Sequence, residues 1–192
     1  MILLFKSDVR GYVRRDGSVV RDHFRRAAQF AFKRHQGQFR GDGKTPYIMH
    51  PVTVAKILRH EGKVDDPVTL AAALLHDTIE DTGATHDQLA RLFGKDVADV
   101  VLEVTNDNSL PKAAQKRAQI EHGATRSDRA NTLKIADKIA NLRDIIAAPP
   151  QWTPERKRGY FDHARQVVEA MKSPHPLLKQ VFMMEYGKRD TI

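Results

Sequence analysis

The sequence predicts an all-α domain preceded by a short β-hairpin arm, and three observations support this prediction. Apolar residues recur three and four positions apart along most of the chain, as in "DVADVVLEVT" (96–105), which is the spacing of a buried helix face. Pro and Gly separate these segments where helices are expected to begin and end. Near the N-terminus, "YVRRDGSVVR" places Asp16-Gly17 between two β-prone arms, and Asp-Gly is a favoured dipeptide for a two-residue hairpin turn.

Most of the predicted helices have their own start signal, which is a capping side chain or a Pro in the first turn. In chain order these signals are Asp22, Pro51, Asp66-Pro67, Thr85 with Gln88, Pro111, Ser127 and Thr153-Pro154, and "PLLKQVFMMEYG" supplies the last helix. The stop signals are Gly62, Gly83, Gly94 and Gly123. The helix opened by Asp66-Pro67 is therefore predicted to continue without a break to Gly83.

The chain is long enough for one well-buried core, and no linker or repeat divides it. Its 192 residues, 41% hydrophobic and 29% charged, fit a soluble globular protein. We predict a basic N-terminal hairpin arm at 1–21 and one helical domain at 22–192. The first apolar run, "MILLF", is too short for a signal peptide, and no segment is long enough to span a membrane. The cytoplasm is therefore the expected compartment.

The formal net charge is +8, and residues 10–26 contribute half of it through six Arg and two Asp. A basic terminus of this kind is more often a solvated arm than a nucleic-acid surface. An anionic small-molecule substrate explains a mild positive field equally well. Nucleic acid is therefore not expected as the primary partner, and the sequence leaves a homo-oligomer open.

The stretch "ALLHDTIEDTG" (73–83) places four ionisable side chains in an otherwise apolar helix. His76 and Glu80 are four residues apart, as are Asp77 and Asp81, so all four face one broad sector. A solvent-facing stripe is the simpler explanation, but adjacent acids near a helix C-terminus oppose the helix dipole and repel each other. A divalent cation would relieve that repulsion. The chain has no cysteine, which excludes disulfides, thiolate metal sites and cysteine nucleophiles.

Two distant stretches supply further metal donors. In "TPYIMHP" (45–51), His50 directly precedes a Pro that starts a helix, and in "LKIADKIANLRD" (133–144), Asp137 lies on an amphipathic helix. Each residue alone is more often structural or solvated than functional. Together, His50, His76, Asp77 and Asp137 offer two imidazoles and two carboxylates. This donor set suits Mn²⁺, Fe²⁺, Co²⁺ or Zn²⁺.

With these motifs, the sequence resembles the HD-domain metal-dependent phosphohydrolases, and more narrowly the small single-domain alarmone hydrolases of the RelA/SpoT type. The resemblance runs from about residue 24 to residue 168 through "RGDGKTPYIMHPVTVAKIL", "AALLHDTIEDT", "FGKDVADVVLEVTND", "LPK", "KIADKIANLRD" and "YFDHARQVV". A lone His-Asp pair is a weak signal, whereas ordered blocks at matching intervals are a strong one. The resemblance implies a single HD-domain helical fold, with 22–192 as a hydrolase domain.

The resemblance also implies an activity. It indicates a guanosine-3′,5′-bis(diphosphate) 3′-pyrophosphohydrolase, which removes the 3′-pyrophosphate from (p)ppGpp to leave GDP or GTP. By similarity, His50, His76, Asp77 and Asp137 would ligate one ion, typically Mn²⁺ in this family. The long family members carry a synthetase domain after the hydrolase, whereas this chain ends at Ile192. We therefore expect it to degrade the alarmone of the stringent response but not to make it.

Roles for further residues follow from the same resemblance. Glu80 and Asp81, one helical turn from the ligands, are expected to orient the attacking water and to carry its proton. The positions that match the family's substrate contacts are Arg40, Lys44, Lys112, Asn141 and Tyr160. An equal alternative for Lys112 is that it is an ordinary exposed lysine. An equal alternative for Tyr160 is that its ring packs in the core.

One departure leaves the substrate open. Family members commonly carry two consecutive basic residues where this chain has Phe39-Arg40. A second interpretation keeps the metal site but changes the substrate to another nucleotide with a 2′- or 3′-phosphate, such as NADPH. A third interpretation is a non-catalytic RNA- or nucleotide-binding module that uses the basic arm. Salt-sensitive RNA affinity that survives loss of Asp77 would distinguish this third interpretation from the other two.

Overall fold

A computed structural model describes residues 19–147 and 149–192, with side chains described from His23 onward. The described residues are mainly helical, as predicted. The helices are α1 (Val19–Arg34), α2 (Met49–Lys56), α3 (Pro67–Leu75), α4 (Thr78–Thr82), α5 (His86–Phe93), α6 (Lys95–Val104), α7 (Lys112–Glu121), α8 (Asp128–Ala147), α9 (Pro154–Glu169) and α10 (Pro176–Tyr186). A π-helical turn (Ile57–Glu61) and two 3₁₀ turns (His122–Ala124 and Arg189–Thr191) are the other helical segments.

The predicted N-terminal arm is only partly within the described residues. The hairpin turn at Asp16-Gly17 lies outside them. Residues 19–21, predicted to be in the second arm of the hairpin, belong instead to α1, so that part of the prediction is wrong. No Pro or Gly interrupts the chain between Val19 and Asp22, so the helix that buries Ala27 and Ala31 extends past the predicted cap.

The core is built around α3 and α8. Every residue from Thr69 to Leu75 is buried, because α3 packs against α1, α2, α6 and α8. The 20-residue helix α8 buries residues on most of its surface and also contacts α2, α6, α9 and α10. A helix that is apolar on all sides needs neighbours on all sides. These two buried helices provide a rigid base for the ionisable side chains at their ends and along their surfaces.

The predicted helix from Pro67 to Gly83 is in fact two helices. Helix α3 ends at Leu75 and α4 begins at Thr78, and Asp77 between them has φ −96° and ψ −3°. At the break, His76 Nδ1 lies 2.9 Å from Ala73 O and Thr78 Oγ1 donates to Leu75 O at 2.7 Å. Side chains therefore compete with backbone N–H groups for the last carbonyls of α3. The prediction of one unbroken helix is wrong for this reason.

The predicted caps and stops are largely present. Asp66, Thr85 and Thr153 accept hydrogen bonds from backbone N–H groups three residues later, and Ser127 Oγ accepts from Ala130 N at 3.2 Å. Gly62 ends the π-helical turn after α2. A Cβ atom at Gly62 would lie 2.9 Å from Leu58 O and 3.0 Å from Leu178 Cγ, so glycine is required where this turn meets α10.

The loop between α1 and α2 forms a small turn beside the site. An isolated antiparallel bridge joins Phe39 to Pro46, and Arg40 N donates to Thr45 O at 2.8 Å. Asp42 Oδ1 accepts hydrogen bonds from the backbone N–H groups of Lys44 and Thr45, both at 2.9 Å. The loop is thus held in one conformation by its own hydrogen bonds. In the described ranges, no helix combines the length and apolar character needed to span a membrane.

Candidate metal and catalytic site

Four ionisable side chains converge where α2, the α3–α4 break and α8 meet. His50 Nε2 lies 3.2 Å from Asp137 Oδ1 and 3.7 Å from Asp77 Oδ2. His76 Nε2 lies 3.1 Å from Asp77 Oδ2 and 3.9 Å from Asp137 Oδ1. The two imidazole rings are 5.3 Å apart between centroids. The structure therefore brings together all four residues that the sequence predicts as metal ligands.

The orientation of His76 is set by the end of α3. Its Nδ1 lies 2.9 Å from Ala73 O and donates to this carbonyl, so Nε2 faces Asp77 and Asp137. This Nε2 atom is buried, lies 3.1 Å from Asp77 Oδ2 and has no hydrogen-bond partner in the described residues. Metal-binding histidines typically donate the N–H of the ring nitrogen that does not bind the metal to an acceptor such as a backbone carbonyl, and this bond orients the imidazole.

The charges in this cluster favour a cation at its centre. Burial alone would raise the pKa of each carboxyl, but His76 and His50 hold the pKa of Asp77 below its ordinary value. Lys134, together with the hydrogen bond from His50, likewise holds the pKa of Asp137 well below its ordinary value. Burial lowers the pKa of His50. For His76 the nearby Asp77 outweighs burial and raises the pKa to about 9.

The residues present fit a divalent cation. Donor atoms of His50, His76 and Asp137 all lie within 4.8 Å of one another, and Asp77 lies within 3.7 Å of both imidazole Nε2 atoms. The buried Nε2 atom of His76 has no hydrogen-bond partner and becomes a ligand position once a metal ion displaces its proton. Imidazole nitrogen with carboxylate oxygen is a donor set that first-row divalent metals accept. The role of these residues as ligands stays a prediction.

Tyr47 is a residue of this site that the sequence reasoning missed. Its Oη donates to Asp77 Oδ2 at 2.8 Å. The Tyr47 ring stacks on His35, with centroids 4.8 Å apart and 24° between the planes. Gln38 lies 2.7 Å from His35 Nδ1 and donates through Nε2 to Asp81 O at 3.0 Å. The loop before α2 therefore holds both a predicted ligand and the last turn of α4.

Glu80 and Asp81 have different surroundings. Glu80 accepts hydrogen bonds from Asn106 N at 2.8 Å and from Asn106 Nδ2 at 3.0 Å, one at each carboxylate oxygen. Asp81 is exposed, but the side facing the site is partly desolvated and lies near Asp77. These two effects raise the pKa of Asp81. The two predicted catalytic acids thus differ in their contacts, because Asn106 holds the Glu80 carboxylate whereas Asp81 is exposed beside Asp77.

Arg40 and Asn141 connect the loop to the His–Asp cluster. Arg40 Nη2 donates to Asn141 Oδ1 at 2.7 Å and to Asp144 Oδ2 at 2.6 Å. Asn141 Nδ2 donates in turn to Asp137 Oδ1 at 2.7 Å. The guanidinium also lies over the Tyr47 ring, 5.3 Å from its centroid. Two predicted substrate contacts are therefore placed directly beside the candidate ligands.

The other three predicted substrate contacts lie farther out. Lys44 is exposed on the loop, and Lys112 is exposed at the start of α7, where its Nζ donates to Gln115 Oε1 at 3.2 Å. Tyr160 is partly buried, and Lys138 Nζ lies 5.6 Å from its ring centroid. Within the described residues, neither Lys44 nor Lys112 contacts the His–Asp cluster.

A family model described as HD domain matches residues 27–167, which is most of the chain and includes every residue of the cluster. The chain belongs to the HD-domain family. The matched range includes the break between α3 and α4, where His76 and Asp77 are adjacent. The family match is consistent with the helical architecture of the described residues.

Two curated relatives of this HD-domain protein are covered over most of their own length. It is 46% identical over 155 residues to guanosine-3′,5′-bis(diphosphate) 3′-pyrophosphohydrolase MESH1 of Xenopus tropicalis, covering 80% of this chain and 87% of that protein. It is 43% identical over 165 residues to the Homo sapiens protein of the same name, covering 85% and 92%. A solved structure described as a metazoan ortholog of SpoT that hydrolyses ppGpp superposes with a TM-score of 0.83 at 40% identity, covering 88% of this chain and 97% of that one.

The residues that sequence reasoning missed in this HD-domain protein are hydrogen-bonding partners of the predicted ones. Tyr47, Asn106 and Asp144 each contact a predicted site residue. Tyr47 has the clearest sequence signal, because it lies three residues before His50 in a Pro-bounded turn. Asn106 and Asp144 have no comparable signal, since polar residues just after or late in a helix are usually solvated.

Proposed function

We propose that this HD-domain protein is a metal-dependent guanosine-3′,5′-bis(diphosphate) 3′-pyrophosphohydrolase, which converts (p)ppGpp to GDP or GTP and pyrophosphate. The observation that carries the proposal is its similarity, at 46% and 43% identity over most of both chains, to relatives named for that reaction. The converging imidazoles and carboxylates support it independently, because phosphoryl hydrolysis needs a cation to offset phosphate charge.

His50, His76, Asp77 and Asp137 would hold one divalent ion, and we propose Mn²⁺. When bound, such an ion supplies Lewis acidity, which polarises a phosphoryl oxygen and lowers the pKa of a water. The protein contributes two carboxylates, of which Asp137 is buried and Asp77 partly exposed. Tyr47 holds Asp77 in place through its hydroxyl. The donor set supports a first-row metal in general, and the family resemblance favours manganese.

Glu80 and Asp81 are proposed to manage the proton of the attacking water. Glu80 accepts two hydrogen bonds from Asn106, which hold its carboxylate in one orientation. A carboxylate fixed in this way is suited to orient a water molecule and to take its proton. Asp81 has a raised pKa and is suited to deliver a proton to the ribose 3′-oxygen. A bond forms between water oxygen and phosphorus as Glu80 takes one water proton, and the bond from phosphorus to the 3′-oxygen breaks as Asp81 gives its proton to that oxygen. Proton exchange with solvent then returns Glu80 and Asp81 to their starting states.

The remaining phosphates and the nucleoside need positive and polar contacts. We propose that Arg40 and Asn141, beside Asp137, bind the ribose and phosphate region. Lys44 and Lys112 are exposed cations that would receive outer phosphates. Tyr160 would pack against the nucleoside. In this proposal the partner is a small-molecule nucleotide, the location is the cytoplasm, and 22–192 is the hydrolase domain.

The experiment that tests this function is product analysis after incubation of the purified protein with ppGpp and Mn²⁺. We expect GDP and pyrophosphate in equal amounts. Release of single phosphates, or intact ppGpp after long incubation, would contradict the proposal. Glu80→Gln and Asp81→Asn variants should lose turnover by about 10²- to 10⁴-fold, while Mn²⁺ binding measured by calorimetry should remain. Unchanged turnover in both variants would reject their catalytic roles.

A second candidate substrate is favoured by one observation. Arg40, a basic residue of the loop, is paired with Asp144, and its neighbour Phe39 is exposed to 54%. This loop therefore presents less free positive charge than two adjacent basic residues would. Another nucleotide with a 2′- or 3′-phosphate, such as NADPH, fits such a loop. A panel of nucleotides with Mn²⁺ would favour this candidate if NADPH is dephosphorylated and ppGpp is not.

A further inference from the structure

Glu80 is on the shortest α-helix of the described residues. Helix α4 has five residues, Thr78–Thr82, and a helix of that length is not stable on its own. Its position must therefore be set by contacts with the rest of the domain. For the Glu80 carboxylate these contacts come from Asn106, which lies in the segment between α6 and α7 and donates to both oxygens.

The hydrogen bonds continue from Asn106 into the interior. Gln119 Nε2, on α7, donates to Asn106 Oδ1 at 2.9 Å. Lys138 Nζ, on α8, donates to Gln119 Oε1 at 3.0 Å. Lys138 directly follows Asp137, a proposed metal ligand. The chain Lys138–Gln119–Asn106–Glu80 therefore links the helix of one ligand to the proposed general base.

The two ends of this chain dictate the direction of every bond in it. An ammonium group only donates and a carboxylate only accepts. The two amides between them satisfy both ends in one arrangement, with each oxygen towards Lys138 and each NH₂ towards Glu80. Flipping either amide would place NH₂ against the ammonium or oxygen against the carboxylate. The buried charge of Lys138 thus selects the amide orientation that presents N–H donors to Glu80.

Lys138 differs from its neighbour on α8 in a way that supports this role. Lys134 Nζ forms an ion pair with Asp137 Oδ2 at 3.4 Å. Lys138 is also buried, with 4% of its surface exposed, yet in the described ranges it forms no ion pair, and it contacts Gln119 and the Tyr160 ring. A buried charge needs compensation. For Lys138 this compensation comes from the polarised side-chain amides of Gln119 and Asn106, which lead to the Glu80 carboxylate.

We propose that Lys138 and Gln119 are positioning residues, which act through Asn106 to hold the Glu80 carboxylate in one orientation for proton transfer. The proposal rests on the proposed function, because it assumes that Glu80 handles the proton of the attacking water. Neither Lys138 nor Gln119 contacts the reacting atoms in this role. Loss of Gln119, which does not contact Tyr160, should therefore reduce the rate of the chemical step without weakening nucleotide binding.

The first test is the kinetics of Gln119→Leu at saturating Mn²⁺. We expect kcat to fall by about 10- to 100-fold, as for other residues that orient a catalytic group, with KM for ppGpp little changed. Asn131→Ala is the control, because Asn131 is another side-chain amide, donates to Gly123 O and does not touch this hydrogen-bond chain. Asn131 is buried, whereas Gln119 is partly exposed. A Gln119→Leu enzyme with normal kcat, or one with the same loss as Asn131→Ala, would overturn the proposal.

A double mutant separates a connected chain from independent contacts. Residues that act through one another give non-additive losses. We therefore expect Gln119→Leu combined with Lys138→Met to be no slower than the slower single variant. If the fold-losses in kcat of the two single variants multiply in the double variant, the two residues act separately. That result would reject the connected hydrogen-bond chain.

The last test does not depend on activity. The side-chain amide of Asn106 should give a ¹⁵N NMR signal with protected protons in the wild-type protein, and Lys138→Met and Gln119→Leu should each remove that protection. If Gln119→Leu does not fold, Gln119→Asn shortens the side chain and tests the same bond. Protection that persists in both variants would overturn the positioning role. Inactivity of wild-type protein towards ppGpp, with the NMR result as expected, would count against the proposed function alone.

Discussion

Arg40 Nη2 lies 2.6 Å from Asp144 Oδ2, and this ion pair joins the loop before α2 to the last turns of α8. A second hydrogen bond from Arg40 Nε to the same oxygen measures 3.0 Å. Asp144 is half exposed, whereas the Arg40 side chain is only 17% exposed. The pair therefore fixes the guanidinium over the Tyr47 ring, next to Asn141, before any substrate arrives.

The first prediction concerns the geometry of Arg40. In Arg40→Lys the charge remains but the planar fork that reaches both Asp144 and Asn141 is lost. Because a hydrogen bond to a charged group contributes about 1.5–3 kcal/mol, we expect KM for ppGpp to rise by about 10- to 100-fold, with a smaller change in kcat. Steady-state kinetics would check this. A KM equal to that of the wild-type protein would show that Arg40 is purely structural.

The second prediction concerns metal binding. A ligand present at 100 times its Kd stabilises the folded state by about 2.7 kcal/mol, which corresponds to roughly 5–10 °C in Tm for a chain of this size. Addition of Mn²⁺ to chelator-treated protein should therefore raise Tm by several degrees in differential scanning fluorimetry. The Asp137→Asn variant should show no such shift. An equal shift in the variant would place the ion elsewhere.

The third prediction concerns Tyr47. In Tyr47→Phe the ring still stacks on His35, but the hydroxyl that donates to Asp77 is removed. We expect Mn²⁺ affinity to fall by about 10-fold, in line with other partners of metal ligands, and Tm without metal to change little. Isothermal titration calorimetry measures the affinity. Unchanged affinity would mean that Asp77 is held in place without this bond.

The fourth prediction concerns stability away from the site. Arg143 donates to both oxygens of Glu61, at 2.7 and 2.8 Å, and to Glu185 Oε1 at 2.8 Å. It thereby ties α8 to the π-helical turn and to α10. Because Arg143 and Glu61 are each about one-third exposed, solvent screens the pair, and Arg143→Met should destabilise by only about 1–2 kcal/mol. Chemical denaturation would measure this loss, and kcat should not change. A large loss of kcat would instead indicate that α10 contributes to the site.

Local sequence was sufficient to predict most helix boundaries. The caps at Asp66, Thr85 and Thr153 were predicted because each involves one side chain and a backbone N–H three residues later. The inward face of α6 was predicted from the spacing of its valines, all of which are buried. The break at His76-Asp77 was not predicted, because periodicity says nothing about side chains that replace backbone hydrogen bonds.

The sequence by itself determined which chemical groups are available: two imidazoles and two aspartates suited to one divalent ion, followed by a pair of acids. Only the tertiary structure decided how these groups are connected. It paired Arg40 with Asp144, placed Tyr47 on Asp77, and linked Lys138 to Glu80 through two amides. The physical reason is that a hydrogen bond depends on a distance of about 3 Å and on alignment, and the spacing of residues along the chain specifies neither for elements far apart in sequence.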